Sequence, residues 1–246
     1  MSAGVRRMKW RCFLELYLDI MKLYYRFLRF LKRRLPEKQW SRVGDERVNG
    51  FAGLILFFLI FAFVRLMWWG GDNNLAVYTG YDGVYDPEPI FTFINLEGYN
   101  NWISTTTAKG VDFFCKYVLF QDTFFRYDTV YLMDGADAVG GVQIFPSCGG
   151  NREMVIILFV MLLIPGPSKP RLWYIPSALL AFFAINCFRL ALVNLVTKYS
   201  MALFPAAHDY SGMAMSVFVF FVWLLWEKKF AEKYRLKAWC EVNAEK

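Results

Sequence analysis

The chain has 246 residues, 57% hydrophobic and 20% aromatic, with a formal net charge of +7. That is more apolar surface than a soluble domain of this length needs to bury, which argues against a purely soluble fold and makes the lipid bilayer the second solvent. The positive charge does not point to nucleic acid, because it is distributed by a membrane rule: residues 1–50 hold thirteen Lys or Arg against five Asp or Glu, and residues 70–147 hold three against ten.

In chain order, the basic arm comes first. Glu15, Asp19, Lys22, Arg26 and Arg29 fall on one helical face and Phe, Leu and Tyr on the other. This predicts an amphipathic helix over 12–31, lying either on the cytoplasmic leaflet or on the protein's own cytoplasmic surface. A first span runs from Phe51 to Trp69 and ends in two tryptophans suited to the interfacial belt. Because this first long apolar run is full-length, no cleavable secretory leader is expected. Residues 70–100 are rich in Gly, Asp, Asn and Tyr, with Asp86-Pro87-Glu88-Pro89 disfavouring regular structure. A helix over 102–120 carries Lys109, Asp112 and Lys116, so it is expected at the outer interface or re-entrant rather than facing lipid.

Thr129–Met133 and Val139–Phe145 flank a turn and predict a β-hairpin that delivers the chain to Pro146-Ser147-Cys148-Gly149-Gly150. Three more apolar runs follow: Met154 to Ile164, Leu172 to Val196, and Gly212 to Trp226. The first and last are short for a core about 30 Å thick and must borrow flanking residues. Lys228, Lys229, Lys233, Arg235 and Lys237 make the tail basic again. Four crossings then leave the arm, the Lys169–Arg171 turn and the tail in the cytoplasm, and residues 70–147 outside.

The expected fold is therefore all-α and membrane-integral: a polytopic bundle of at least four spans with a small extracytoplasmic β-hairpin and amphipathic interfacial helices. Its parts are a cytoplasmic arm (1–50) and a membrane domain (51–246). The latter comprises a mainly extracytoplasmic segment (70–147), the site-bearing helices (148–226) and a cytoplasmic tail (227–246). The expected location is the inner membrane, with both termini cytoplasmic.

Five cysteines, at 12, 115, 148, 187 and 240, have no metal-ligand spacing, so no metal or cofactor is expected. Only Cys115 and Cys148 fall on the oxidising side, and a disulfide between them is left open. Cys148 sits at the head of a span beside two glycines, where a helix N-terminus favours the thiolate. Arg189 lies inside an apolar helix, a costly position that calls for a partner or a wet cavity, and Asn186 shares its face. Arg65, near the end of its span, is instead read as snorkelling. His208 is the one histidine, at the outer start of the last span. Following the crossings, thiol, guanidinium and imidazole all reach the outer leaflet, a workable set for acyl transfer.

At these positions the sequence resembles the exosortase/archaeosortase family of multi-pass membrane proteins. The resemblance covers about Val142 to Trp226. It rests on Cys148-Gly149 heading a span, Asn186-x-x-Arg189 within the next, and His208 ahead of Gly212 at the last. The chain departs from the family in having Cys148-Gly149-Gly150 where Cys-Ser-Gly is common, and in its smaller number of spans.

The resemblance implies a membrane cysteine protease or transpeptidase with Cys148, Arg189 and His208 catalytic and Asn186 in substrate binding. The implied partner is a secreted protein with a C-terminal tripartite signal of short motif, hydrophobic helix and basic tail; the acyl acceptor is water, or an amine on a lipid or surface polymer. Two other readings stand beside it. One is a non-enzymatic scaffold or accessory in surface-polymer export, with Arg189 and His208 holding an anion. The other is a small transporter, for which no inverted repeat or pair of broken helices speaks.

Overall fold

The computed structural model describes residues 22, 24–27, 29, 30, 33, 34, 48–65, 97–145 and 148–237, with the backbone alone at 97–100. Its elements in chain order are α1 (Val48–Arg65), α2 (Glu97–Tyr117), β1 (Thr123–Arg126), β2 (Thr129–Asp134), β3 (Asp137–Gln143), α3 (Asn151–Leu163), α4 (Ser168–Tyr199) and α5 (Phe204–Trp226). A 3-10 turn at Met201–Leu203 leads into α5, and a π-helical turn at Glu227–Ala231 follows it.

Among the described residues, three helical stretches are long and apolar enough to cross a membrane: Val48–Arg65, Ser168–Tyr199 and Met201–Lys237. The span expected over Met154–Ile164 forms a helix, but its 13 residues rise only about 20 Å. The predicted helix over 102–120 starts earlier and stops earlier, as α2. Trp68, Trp69, the loop over 70–96, Cys12, Cys240 and most of the 12–31 helix lie outside the described residues. Within 12–31, Lys22 and Arg26 are helical and exposed, whereas Tyr24 and Tyr25 are buried.

The predicted hairpin is two strands of a three-stranded antiparallel sheet in the order β1-β2-β3. The added strand, β1, is only four residues long and alternates between half-buried and exposed positions, a weak signal beside its neighbours. Val130 pairs with Val142 and Leu132 with Gly140, after which a bulge displaces the register and leaves Val139 without an opposite residue. Gly135, at φ 64, begins the β2–β3 turn in the left-handed conformation that costs glycine least.

Two compact units make up the chain. One comprises Ala62–Ile157 and Pro176–Phe221. Its core brings together Ala108, Val111 and Cys115 of α2, Val130, Val142 and Ile144 of the sheet region, and Cys187, Leu190 and Ala191 of α4. Gly110 is what lets α2 approach α4, since a Cβ there would meet Cys187 Sγ at 2.6 Å. The charged face of α2 is used to hold the sheet: Asp112 accepts from Lys116 Nζ at 2.9 Å and from Thr123 Oγ1, the first residue of β1, at 2.5 Å. Arg65 lies 3.5 Å from Ser216 Oγ rather than simply reaching outward.

The other unit comprises Met1–Phe61, Leu158–Ile175 and Val222–Lys246. At its centre Arg235 is fully buried. Its guanidinium pairs with Glu227 of the π-helical turn, donates to Asn49 Oδ1 at 3.1 Å and to the Pro165 carbonyl at 3.3 Å, and lies over the Tyr24 ring. Gly53 makes room for this ion pair, because a Cβ there would meet Glu227 Oε1 at 2.7 Å and Arg235 Nη2 at 2.8 Å. Removing one member of such a pair strands a buried charge. Arg235→Ala is therefore expected to destabilise the protein by about 3–5 kcal/mol, and Arg235→Met with Glu227→Leu by much less. The check is unfolding of the purified protein in mixed micelles; equal losses in the two variants would contradict the assignment.

Candidate active site

A single face of α4 organises the site. Asn186 and Arg189 are one helical turn apart, and Asn186 is almost completely buried. An asparagine and an arginine within an apolar helix are kept only where their polar atoms have work to do. The Asn186 amide donates to the Cys148 carbonyl at 3.0 Å. That bond fixes a turn between β3 and α3 onto the middle of a helix far along the chain.

The turn itself is formed locally. The N–H groups of Cys148 and Gly149 both donate to the Phe145 carbonyl, at 2.9 and 3.1 Å, and the Met154 N–H to Gly150 O at 3.0 Å then starts the helical pattern of α3. Gly150 has φ 75. A Cβ at this position would meet Phe182 Cε1 at 2.6 Å and Asn186 Nδ2 at 3.2 Å, so both the backbone conformation and the approach to α4 require glycine. Pro146 and Ser147 lie outside the described residues.

From the first turns of α5, His208 Nε2 lies 3.5 Å from Cys148 Sγ. The imidazole is held on two sides, since its ring stacks on Phe204 at 5.8 Å between centroids and Nδ1 is 3.4 Å from Asp209 Oδ1; the His208 backbone carbonyl separately accepts from Ser211 Oγ at 3.1 Å. A proton acceptor and a thiol in that relation form the usual nucleophile–base pair. Arg189 completes the group. Its Nη1 is 3.9 Å from where a Cβ on Gly212 would sit, an ordinary contact distance, which places the guanidinium beside α5 one turn after His208.

Electrostatics favour a thiolate. Burial alone would raise the Cys148 pKa, but this is outweighed by the hydrogen bond to His208, the His208 charge, a backbone hydrogen bond from Phe145 and the positive field of Arg189. The thiol therefore sits below its ordinary range. Cys115, buried in the core, is pushed up to about 11 by desolvation, which the hydrogen bond to Asn194 only partly offsets. Cys115, Cys148 and Cys187 are all free, so the disulfide left open between Cys115 and Cys148 is not formed.

Two buried polar atoms at the site lack a hydrogen-bond partner: Asn186 Oδ1 and Arg189 Nε. One accepts and the other donates, the complement of a peptide group. Among the described residues, no group of three or more His, Cys, Asp or Glu side chains could hold a metal ion.

Cys148, Asn186, Arg189 and His208 are thus brought together. No family model, no curated protein and no solved structure matches the chain. What the sequence reading missed is the support around these four residues. Asn186 binds the carbonyl of Cys148 itself, Phe204 stacks on the imidazole at an i, i+4 spacing readable in the sequence, and Phe182 of α4 is what Gly150 lies against.

The sign of the pH dependence follows from the charges. Lowering the thiol pKa keeps Cys148 ionised, and so reactive, at pH values below the ordinary thiol value of about 8.5. Arg189→Gln removes one positive charge and is expected to move the alkylation midpoint to higher pH, and His208→Ala to move it further. The measurement is the iodoacetamide rate at Cys148 against pH, read by mass spectrometry; a midpoint unchanged in both variants would contradict this account.

Proposed function

We propose that the chain is an integral inner-membrane cysteine enzyme of the exosortase/archaeosortase kind, which cleaves C-terminal sorting signals of secreted proteins through a Cys148 acyl-enzyme. The observation that carries this reading is the 3.5 Å approach of Cys148 Sγ to His208 Nε2 across sixty residues of chain, beside a buried guanidinium edge with no partner. Forming these helices does not by itself require the groups to meet. Their meeting costs desolvation and a left-handed glycine, which fits a catalytic role better than a scaffolding one.

The membrane topology in this reading follows from charge parity. Three crossings by α1, α4 and α5 would leave the basic arm and the basic tail on opposite sides. Taking α3, with its flanking residues, as a fourth crossing returns both to the cytoplasm and leaves the acidic segment outside. The turn bearing Cys148 and the first turns of α5 then lie together at the outer face.

In the reaction, the Cys148 thiolate attacks the scissile carbonyl, forming a carbon–sulfur bond while the carbonyl electrons move to oxygen. Arg189 holds that oxyanion. As the intermediate collapses, the carbon–nitrogen bond breaks and His208 gives its proton to the leaving amine, releasing the hydrophobic helix and basic tail of the signal. Water, or an amine on a lipid or surface polymer, then gives up a proton to His208, attacks the thioester and regenerates the thiolate.

Cys148→Ala should leave a reporter ending in such a tripartite signal uncleaved, with its C-terminal helix attached, as read by its size on a gel. His208→Ala should slow cleavage by about 10²–10⁴-fold. In intact spheroplasts a membrane-impermeant maleimide should reach Cys148 from outside; labelling only after the cytoplasm is opened would overturn both topology and mechanism.

A further inference from the structure

The strand that leads to the nucleophile is an edge strand. In the order β1-β2-β3, β3 has β2 as its single sheet neighbour among the described residues. Which of its groups face outward follows from two hydrogen bonds. Ile144 N–H donates to Asp128 O at 2.7 Å and Met133 N–H to Asp122 O at 2.9 Å. With the register Val130↔Val142 and Leu132↔Gly140, the alternation of an antiparallel ladder directs residues 140, 142 and 144 toward β2. The N–H and C=O groups of Gly141 and Gln143 then point away from the sheet.

Edges of this kind are normally blunted by charge, proline or a bulge. In β3 those devices sit at the far end, where Asp137 is exposed and Val139 bulges. The end nearest Cys148, Gly140-Gly141-Val142-Gln143, carries no charge and no proline. Its two glycines serve packing, since a Cβ on Gly140 would meet Thr197 Oγ1 at 2.6 Å and one on Gly141 would meet Tyr131 Cδ1 at 3.2 Å, while Gln143 is exposed. Cys148 follows Gln143 by five residues and packs against the core cluster that contains Val142 and Ile144, so strand and cysteine share one apolar floor.

We infer that the outward edge of β3 at Gly141 and Gln143 is the docking site for the peptide substrate, which adds to the sheet as an extended fourth strand and is thereby led to Cys148. This rests on the cysteine-enzyme reading. Strand addition makes main-chain hydrogen bonds, so affinity here depends on an extended backbone rather than on particular side chains. The acceptor Asn186 Oδ1 and the donor Arg189 Nε, both buried and unpartnered, offer the same kind of main-chain recognition beside the sulfur. A proline or a tightly folded segment just ahead of the cleavage site would fail to pair.

The test uses the full-length protein in detergent micelles and acetyl-tetraalanyl vinyl sulfone, a probe that is mostly backbone and forms a carbon–sulfur bond with Cys148. Gln143→Pro removes one outward N–H without touching the β2–β3 ladder. Gln143→Ala keeps that N–H and serves as the side-chain reference. The expected result is labelling by the peptide probe at least tenfold slower in Gln143→Pro than in Gln143→Ala, with the two variants alike toward iodoacetamide.

A second arm leaves the protein unchanged and methylates each amide nitrogen of the probe in turn. Strand pairing predicts loss at every second position, because alternate N–H groups face the edge. Equal labelling of the two variants by the peptide probe, or a methylation scan with no alternation, overturns the proposal. So does a Gln143→Pro variant that changes from dimer to monomer while labelling at the rate of Gln143→Ala, since the edge would then pair with a second copy. Failure of the cysteine-enzyme reading looks different: the wild-type thiol would then lack reactivity at low pH toward iodoacetamide itself.

Discussion

The hydrogen bond from Asn186 to the Cys148 carbonyl is the contact on which the rest of the site depends. It spans thirty-eight residues and joins an element with little regular structure to the 32-residue helix α4. A turn of three residues has many conformations of similar energy, whereas a helix face has one. By binding the backbone of Cys148 rather than its side chain, Asn186 fixes where the sulfur starts while leaving it without a bond from Asn186. Gly150 is the matching concession from the turn, giving up a side chain so that Phe182 and Asn186 can come close. Gly150 acts here through shape alone.

The sheet and α2 serve the same end. Val130, Val142 and Ile144 pack with α4 through Leu190 and Ala191, and Ala108, Val111 and Cys115 of α2 join the same core. Asp112 then ties the end of α2 to the start of β1. The strand preceding Cys148 is thus held to the helix that carries the guanidinium by burial of apolar surface, with Asn194 donating weakly to the Val130 carbonyl at 3.4 Å. The polar groups of the site sit against this packed floor, in a medium where charge interactions are stronger than in water.

How far the sequence could be read depended on the range of the interactions involved. Apolar length alone identified α1, α4 and α5, because a run such as Leu172–Val196 is legible without any partner. The polar positions Asn186 and Arg189 stood out for the same reason, as expensive residues in a cheap background. Charge parity then supplied the only long-range information in the sequence, and it grouped Cys148, Arg189 and His208 before any contact was visible. The remainder was illegible because it depends on contacts between distant residues. No local pattern announces that Gly110 faces Cys187, that Gly150 faces Phe182, or that a four-residue strand at Thr123 pairs with β2. Arg235 misled in the same way: by position it reads as one more cytoplasmic cation, yet it is fully buried against Glu227, Asn49 and Tyr24.

The burial of the other described cysteines has a consequence for chemical selectivity. Cys115 and Cys187 share the core with the site but are sealed in apolar packing, one pressed against Gly110 and the other held protonated by desolvation. Only at Cys148 do access and ionisation coincide among the three. The fold therefore sorts chemically identical thiols by environment, favouring the thiolate at Cys148 and the neutral thiol at Cys115. An electrophile need carry no recognition element to find the right sulfur among them. It needs only to be too weak for a neutral thiol.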